Sequence, residues 1–379
     1  MVTNVIPAER VRPSDFDIFA GLDVDKKSMS ITFVDQDDFL KSLKMPCNAQ
    51  ALLSYARKNF ADKRIAFAYE AGPTGFSLYD ELTAAGERCF VVHPAGIPEA
   101  PNNQVKTNRR DSKQLAEALS GGHVKGIRVP TAIYRQLRHL THLRNSYSAQ
   151  VRATKCQIKA LLLMEGIEFP AATPNSQWSS QVIERLSTLE CNPGVRFTLD
   201  QRIAQLQVLA LQKQVTHKEI LRVCKSDPET AASVRYLMSV CGIGPIIACY
   251  TVARVGDWRG LRNPRELGAF FGLTPTEHST GDRTVRGSIT RAGDRTLRSM
   301  LIEGAWSAVY KDPELAEFYQ RIKSRNPKDR ASRIAIVAVA RKLTARMYAV
   351  LTERREYTIH GQANLSADKA SHVKATTEE

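Results

Sequence analysis

DIFAGLDVDKKSMSITFV, residues Asp17–Val34, is the stretch on which the fold turns. Asp17–Val24 (DIFAGLDV) reads as a buried strand and Met29–Val34 (MSITFV) as a second, with Phe39–Leu43 as a short third. Working outward, an amphipathic helix is predicted over about Ala49–Asn59, then a strand at Arg64–Tyr69 (RIAFAY). A helix over about Gly75–Ala85, a strand at Arg88–Val92 (RCFVV) and a helix from about Asp111 to Leu119 complete the segment. Three adjacent strands, then helix, strand, helix, strand, helix, is the order of a ribonuclease-H-like α/β fold.

Beyond it the pattern becomes helical. Tyr134, Leu137, Leu140, Tyr147, Val151, Ile158 and Leu161 recur at three- and four-residue steps, as do Leu199, Ile203, Leu206 and Leu209 after a Pro- and Ser-containing break at Phe169–Trp178. Two long antiparallel helices are expected, as a coiled-coil connector or a plain helical core. Residues 235–355 read as a compact helical domain. The expected class is therefore α/β plus all-α, with an N-terminal domain at 15–125, a connector at 130–225, the helical domain at 235–355 and a polar, disordered tail at 358–379.

Charge narrows the partners. The 379 residues carry 54 Lys+Arg against 39 Asp+Glu, a net of +15. A polyanion follows, because each neutralised phosphate releases counterions. No apolar run approaches the length of a membrane span, and the first residues (MVTNVIPAERVRPSDFD) lack a signal peptide's apolar stretch, so a cytoplasmic protein is expected. The seven cysteines are scattered without a C-x-x-C pair, which argues against a zinc site and a disulfide framework.

Three constellations carry chemistry. Asp23 lies near the end of the first strand, Glu70 ends the fourth, and Asp111 begins the last helix of the α/β segment. Each alone is an ordinary surface acid; together, in this fold, they converge at one edge of the sheet. Clustered carboxylates repel one another unless divalent cations hold them, and such ions can polarise a phosphodiester. The basic residues Lys106, Arg109 and Arg110 beside Asp111 suit phosphate contacts. Next, Val240-Cys241-Gly242-Ile243-Gly244-Pro245 separates two apolar helical stretches, as in a helix-hairpin-helix whose Gly242 and Gly244 N–H groups cradle a backbone phosphate. Many plain helix pairs also turn on glycine. Last, LTPTEHSTGDRTVRGSITRAGDRTLR (Leu273–Arg298) follows a helix start at Asn263-Pro264-Arg265-Glu266. Its Gly-, Ser- and Thr-rich part is expected to be a flexible basic loop. There Ser279 sits among Arg283, Arg286 and Arg291, before a helix bearing Arg295 and Arg298. Arginines there can hold a phosphate beside a serine nucleophile, although a solvated turn has the same composition.

These motifs, GLDVDK, YEAG, VKTNRRD, CGIGP, LGAFFGLTP, HSTGDR and ITRAGDRTLR, taken in order from about Ile18 to Tyr310, resemble the DEDD-type insertion-sequence transposases of the IS110 family with its IS1111 branch. The resemblance implies a RuvC-like nuclease domain, a coiled-coil segment and a C-terminal transposase domain. It further implies a structured bridge RNA that pairs with donor and target DNA, a serine that forms a phosphoserine bond with DNA beside Mg²⁺, and strand exchange in a homo-oligomer up to a tetramer. Asp23, Glu70 and Asp111 match three of the four acidic positions, and the remaining one falls on Asn108, an amide that ligates a metal without adding charge. Ser279 matches the serine best, with Ser288 the alternative, since Thr280 stands where the family often has serine. The rival readings are a metal-only nuclease of the Holliday-junction-resolvase type and an inactive nucleic-acid-binding relative.

Overall fold

The computed structural model describes residues 10–94, 97, 107–170, 178–280 and 283–358, and for 278–280 and 283–286 the backbone alone. The chain divides into two units, Met1–Val129 and Pro130–Glu379. The tail expected to be disordered and Lys106 fall outside the described residues, save 358.

The first unit runs β1 (Ile18–Val24), β2 (Ser28–Val34), β3 (Phe39–Pro46), α1 (Ala49–Asn59), β4 (Ile65–Glu70), α2 (Ser77–Ala84), β5 (Arg88–Val92) and α3 (Asn108–Ser120). Its sheet has the order β3-β2-β1-β4-β5, antiparallel among the first three strands and parallel from β1 through β4 to β5. That is a ribonuclease-H-like arrangement, with a helical region following in the chain. Because side chains alternate along a strand, β1 feeds two cores. Ile18, Ala20 and Leu22 pack with Leu52, Phe67, Tyr69 and Leu82 on one face. Phe19 packs with Ala66, Ala68, Phe90, Leu115, Ala116 and Leu119 on the other, the face covered by α3.

Two boundaries in this unit differ from the sequence reading by three residues. β3 continues to Pro46, three residues past Leu43. It is an edge strand with no fully buried residue, so Lys41 and Lys44 hide the extent of a segment whose register is set by pairing with β2. Helix α3 starts at Asn108 rather than Asp111, because Thr107 caps it by accepting from the Arg110 N–H.

The second unit is α4 (Ala132–Met164), α5 (Ser180–Ser187), α6 (Pro193–Lys225), α7 (Pro228–Met238), α8 (Pro245–Val255), α9 (Pro264–Phe270), β6 (Pro275–Thr280), β7 (Arg283–Ile289), α10 (Arg295–Lys311), α11 (Pro313–Ser324) and α12 (Ala331–Glu353). Five of these helices open with proline after Asn192, Asp227, Gly244, Asn263 or Asp312. Proline loses nothing there, since the first helical N–H has no partner in any case. Helices α4 and α6 lie antiparallel. Their outer parts share a small core with α5, built from Ile158, Leu162, Val182, Leu186, Leu199, Ile203 and Leu206. Their roots, with Leu137, Ile220 and Val223, join the main core around Leu237, Tyr250, Leu301, Val339 and Leu343. Among the described residues no helix is long and apolar enough to cross a membrane. All seven cysteines are free.

Candidate active site

The carboxylates of the first unit are placed by strand register. β1 and β4 pair in parallel with Leu22 opposite Tyr69, so the next residues, Asp23 and Glu70, end neighbouring strands at the same level. Adjacent strands lie about 4.8 Å apart, and in-register residues point to one face. By alternation from Phe19 and Gly21, and from Ala66 and Ala68, that face is the one under α3. Asp23 is half-buried and Glu70 exposed.

Gly21 is what lets α3 lie so close. A Cβ there would stand 2.1 Å from the Ser112 carbonyl oxygen and 2.5 Å from the Ala116 nitrogen. Below the helix, a buried hydroxyl seam joins Ser42 to Thr32 (3.1 Å) and Thr32 to Ser112 (2.9 Å). α3 runs back along β1, so its N-terminus, the positive end of its dipole, lies at the strand ends that carry Asp23 and Glu70. Asp111 is half-buried in the first turn, and Arg109 and Arg110 are exposed beside it. Asn108 Nδ2 donates to Asp25 Oδ2 at 2.7 Å. Asp25, two residues beyond Asp23, is the acid that the sequence reading missed. The GLDVDK motif contains it, but only a contact across 83 residues shows what it touches.

Among the described residues no group of three or more His, Cys, Asp and Glu stands close enough together to hold a metal ion. The donor set still suits a hard divalent cation. Mg²⁺ takes oxygen ligands, keeps several waters and is usually bound through one or two carboxylates plus substrate phosphates. Asp23 and Glu70 on one face meet that demand.

In the second unit the expected flexible loop is instead a β-hairpin. β6 and β7 pair antiparallel, with His278 opposite Val285, Ser279 opposite Thr284 and Thr280 opposite Arg283. A ladder of backbone hydrogen bonds needs no apolar side chains, so a Gly-, Ser- and Thr-rich composition conceals it. Ser279 is thus on a strand, two residues before 281–282, which lie outside the described residues. Arg283 and Arg286 are on β7, and Ser288 is exposed at the hairpin's other end, where its carbonyl accepts from Thr276 Oγ1 at 3.1 Å.

The hairpin is bolted to the helices at its base. Arg298 Nη1 donates to the carbonyls of Phe271 (3.0 Å) and Arg291 (3.3 Å), which makes Arg298 a clamp on the loop ends. Arg291, with a left-handed φ of 55°, and Arg295, which opens α10, are exposed. The glycine turn before α8 divides in role. A Cβ on Gly242 would meet the Gly304 carbonyl oxygen at 2.2 Å, so packing against α10 already demands glycine there. Gly244 has open space about it at the N-terminus of α8.

Comparison with known proteins divides along similar lines. A transposase model of the DEDD IS110 type matches residues 20–165, and the model of the IS116/IS110/IS902 transposase family matches residues 234–320. The relative designated transposase y4qE in Sinorhizobium fredii is 29% identical, over 78% of this chain and 77% of its own. The transposase for insertion sequence element IS1328 of Yersinia enterocolitica is 28% identical, over 66% of this chain and 73% of its own. The transposase for element IS1111A of Coxiella burnetii is 24% identical, over 66% and 68%.

Proposed function

As the chain is a transposase of the IS110 family, whose members cleave DNA and transfer strands, we propose that it excises and inserts a mobile DNA element by serine-mediated strand exchange guided by a bridge RNA. The observation that carries the reading is the placement of Asp23 and Glu70 at neighbouring strand ends, one residue past the paired Leu22 and Tyr69, in a chain that also carries Ser279 on a strand of a hairpin with Arg283 and Arg286. Asp23 and Glu70 would hold Mg²⁺ together with substrate phosphates, and Asp111 and Asn108 would face it from the first turn of α3. Such an ion, when bound, would supply positive charge to a phosphodiester.

Ser279 is the nucleophile. Its Oγ bonds to phosphorus, a deoxyribose oxygen leaves with the strand end, and the hydroxyl proton passes to solvent. Arg283 and Arg286 on β7 bind the phosphate that Ser279 attacks, Arg291, Arg295 and the Gly244 N–H hold backbone at the second unit, and Arg109 and Arg110 hold backbone at the first. Exposed Val208, Leu211 and Val215, three and four residues apart on α6, favour assembly of the chain into a homo-oligomer. Trapping of a protein–DNA adduct tests the chemistry. The adduct forms in the wild type and is lost in Ser279→Ala. An adduct that survives in Ser279→Ala and vanishes in Ser288→Ala moves the nucleophile to Ser288, and no adduct in any protein leaves the metal-only nuclease.

A further inference from the structure

Far from the hairpin in sequence, the second unit contains a cleft of about 460 Å³ where α4 meets α6, with Trp178 in its wall. That is the size of a small-ligand site, which spans roughly 300–1,000 Å³. The charged side chains lining it are all cationic, Arg144 and Lys155 from α4 and Lys213 from α6, and the His217 imidazole of α6 stands among them. The sequence keeps acids away. The 33 residues of α4 include no Asp or Glu, and α6 has none between Asp200 and Glu219.

Arg144 is the deepest of the four, only 8% exposed, with its guanidinium 5.9 Å from the Tyr250 ring centre. Its Nε and the His217 Nδ1 are buried without a hydrogen-bond partner. A buried polar atom left so costs about 1–3 kcal/mol, and a folded chain rarely tolerates two in one place unless something fills the need. Burial holds the Lys155 and Lys213 amines below their usual range, and neighbouring cations (Lys213 and Lys159 for the first, Arg144 and Arg152 for the second) push the same way. The His217 imidazole is lowered likewise, by burial and then by Arg144. These groups repel one another, and an anion with several acceptor oxygens removes the repulsion and satisfies the donors together.

We propose that this cleft is a phosphate-binding site and that its occupant is a backbone phosphate of a nucleic-acid strand. A strand is favoured over a free anion because the acid-free helix α4 continues past the cleft, with Arg152 and Lys159 exposed on it. The site depends on neither the serine nor the metal, and its test involves no strand cleavage.

Tryptophan emission of the full-length protein, read while inorganic phosphate and then a single-stranded oligonucleotide of about twelve residues is added, tests it. Both ligands should change the emission, and the change should vanish in Trp178→Phe. The double variant Lys155→Gln, Lys213→Gln, whose side chains are only partly buried, should keep its Tm. It should bind the oligonucleotide about tenfold more weakly, with a salt slope smaller by about 0.7 for each phosphate that is no longer neutralised. Arg144→Gln should do the same, read only where its Tm shows it folded. No emission change with either ligand overturns the site. A response to phosphate with unchanged oligonucleotide affinity in the double variant overturns the nucleic-acid occupant and leaves a small-anion site.

Discussion

Asn108 and Asp25 show how one side chain alters the balance of a carboxylate site. The amide donates to the acid at 2.7 Å, so a neutral group faces Asp25 at the position where the resemblance leads one to expect another acid. Asn108→Asp turns that hydrogen bond into a clash of two carboxylates. Without divalent ion the variant should melt about 2–4 °C lower, as expected for the loss of about 1 kcal/mol in a unit of this size. With Mg²⁺ the difference should shrink or reverse, because an ion that binds only the folded state stabilises it more when the site is tighter. Melting curves across a Mg²⁺ titration that coincide for the two proteins at every concentration would place residue 108 outside the site. Gly21 gives a second residue-scale test. Gly21→Ala puts a methyl 2.1 Å from the Ser112 carbonyl, so α3 must move off the sheet and take Asp111 with it. A loss of about 3 kcal/mol or more in urea unfolding is expected, together with loss of strand cleavage; a variant as stable as wild type would mean that α3 does not rest on β1. At this scale Asp23 and Glu70 were legible in the sequence, since strand ends announce themselves by the close of an apolar run. The closeness of Gly21 to α3 and the Asp25 contact were not, because both depend on residues some 80–95 positions away.

Helices were easier to read than the hairpin, for a physical reason. A helix that begins Asn-Pro or Asp-Pro carries its start signal within two residues, and α9 begins where Asn263-Pro264 says it should, with Asn263 accepting from the N–H groups of Arg265 and Glu266. β1, β2, α1 and β5 were equally plain because the strands are near-continuous buried apolar runs and α1 buries a stripe at Ala49, Leu52, Leu53 and Ala56. The Gly-, Ser- and Thr-rich sequence of β6 and β7 signals no period, and their order comes from their pairing with each other and from Arg298 at the base. Helix junctions carry more weight than their sequence suggests. Asp312 ends α10 and caps α11 by accepting from the Leu315 N–H at 3.2 Å, and its fully buried carboxylate meets Arg346 Nη1 of α12 at 2.5 Å. Three elements thus share one side chain. Asp312→Ala leaves the Arg346 guanidinium, 9% exposed, without its buried partner, although Glu314 still reaches Nη2 at 2.6 Å. A cost of about 3–5 kcal/mol is expected from the broken buried pair and lost cap. Chemical denaturation reads it, and a change under about 1 kcal/mol would mean that Glu314 alone suffices for Arg346.

The whole molecule combines a net charge of +15 with basic residues on both units, exposed at Arg109 and Arg110 on α3 and at Arg291 and Arg295 near the hairpin. The charge excess was the plainest message of the sequence. What it could not say is which arginines face solvent and which hold the fold, because the two kinds look alike in a string. Arg295 and Arg298 are the clearest pair. They sit three residues apart on α10, yet Arg295 is exposed while Arg298 is spent on the carbonyls of Phe271 and Arg291. Charge reversal should therefore separate them. Arg295→Glu should weaken binding to DNA of any sequence and reduce the salt slope by about 0.9 for the phosphate it ceases to neutralise, with its thermal midpoint unchanged. Arg298→Glu should weaken binding too, but through the fold: a carboxylate cannot donate to two carbonyls, so the base of the hairpin loosens and the midpoint falls. Anisotropy titrations at several salt concentrations, run beside thermal melts, distinguish the two. Equal midpoints for both variants would assign Arg298 to the phosphate backbone, whereas a loss on one DNA sequence only, in Arg295→Glu, would mean that Arg295 reads bases.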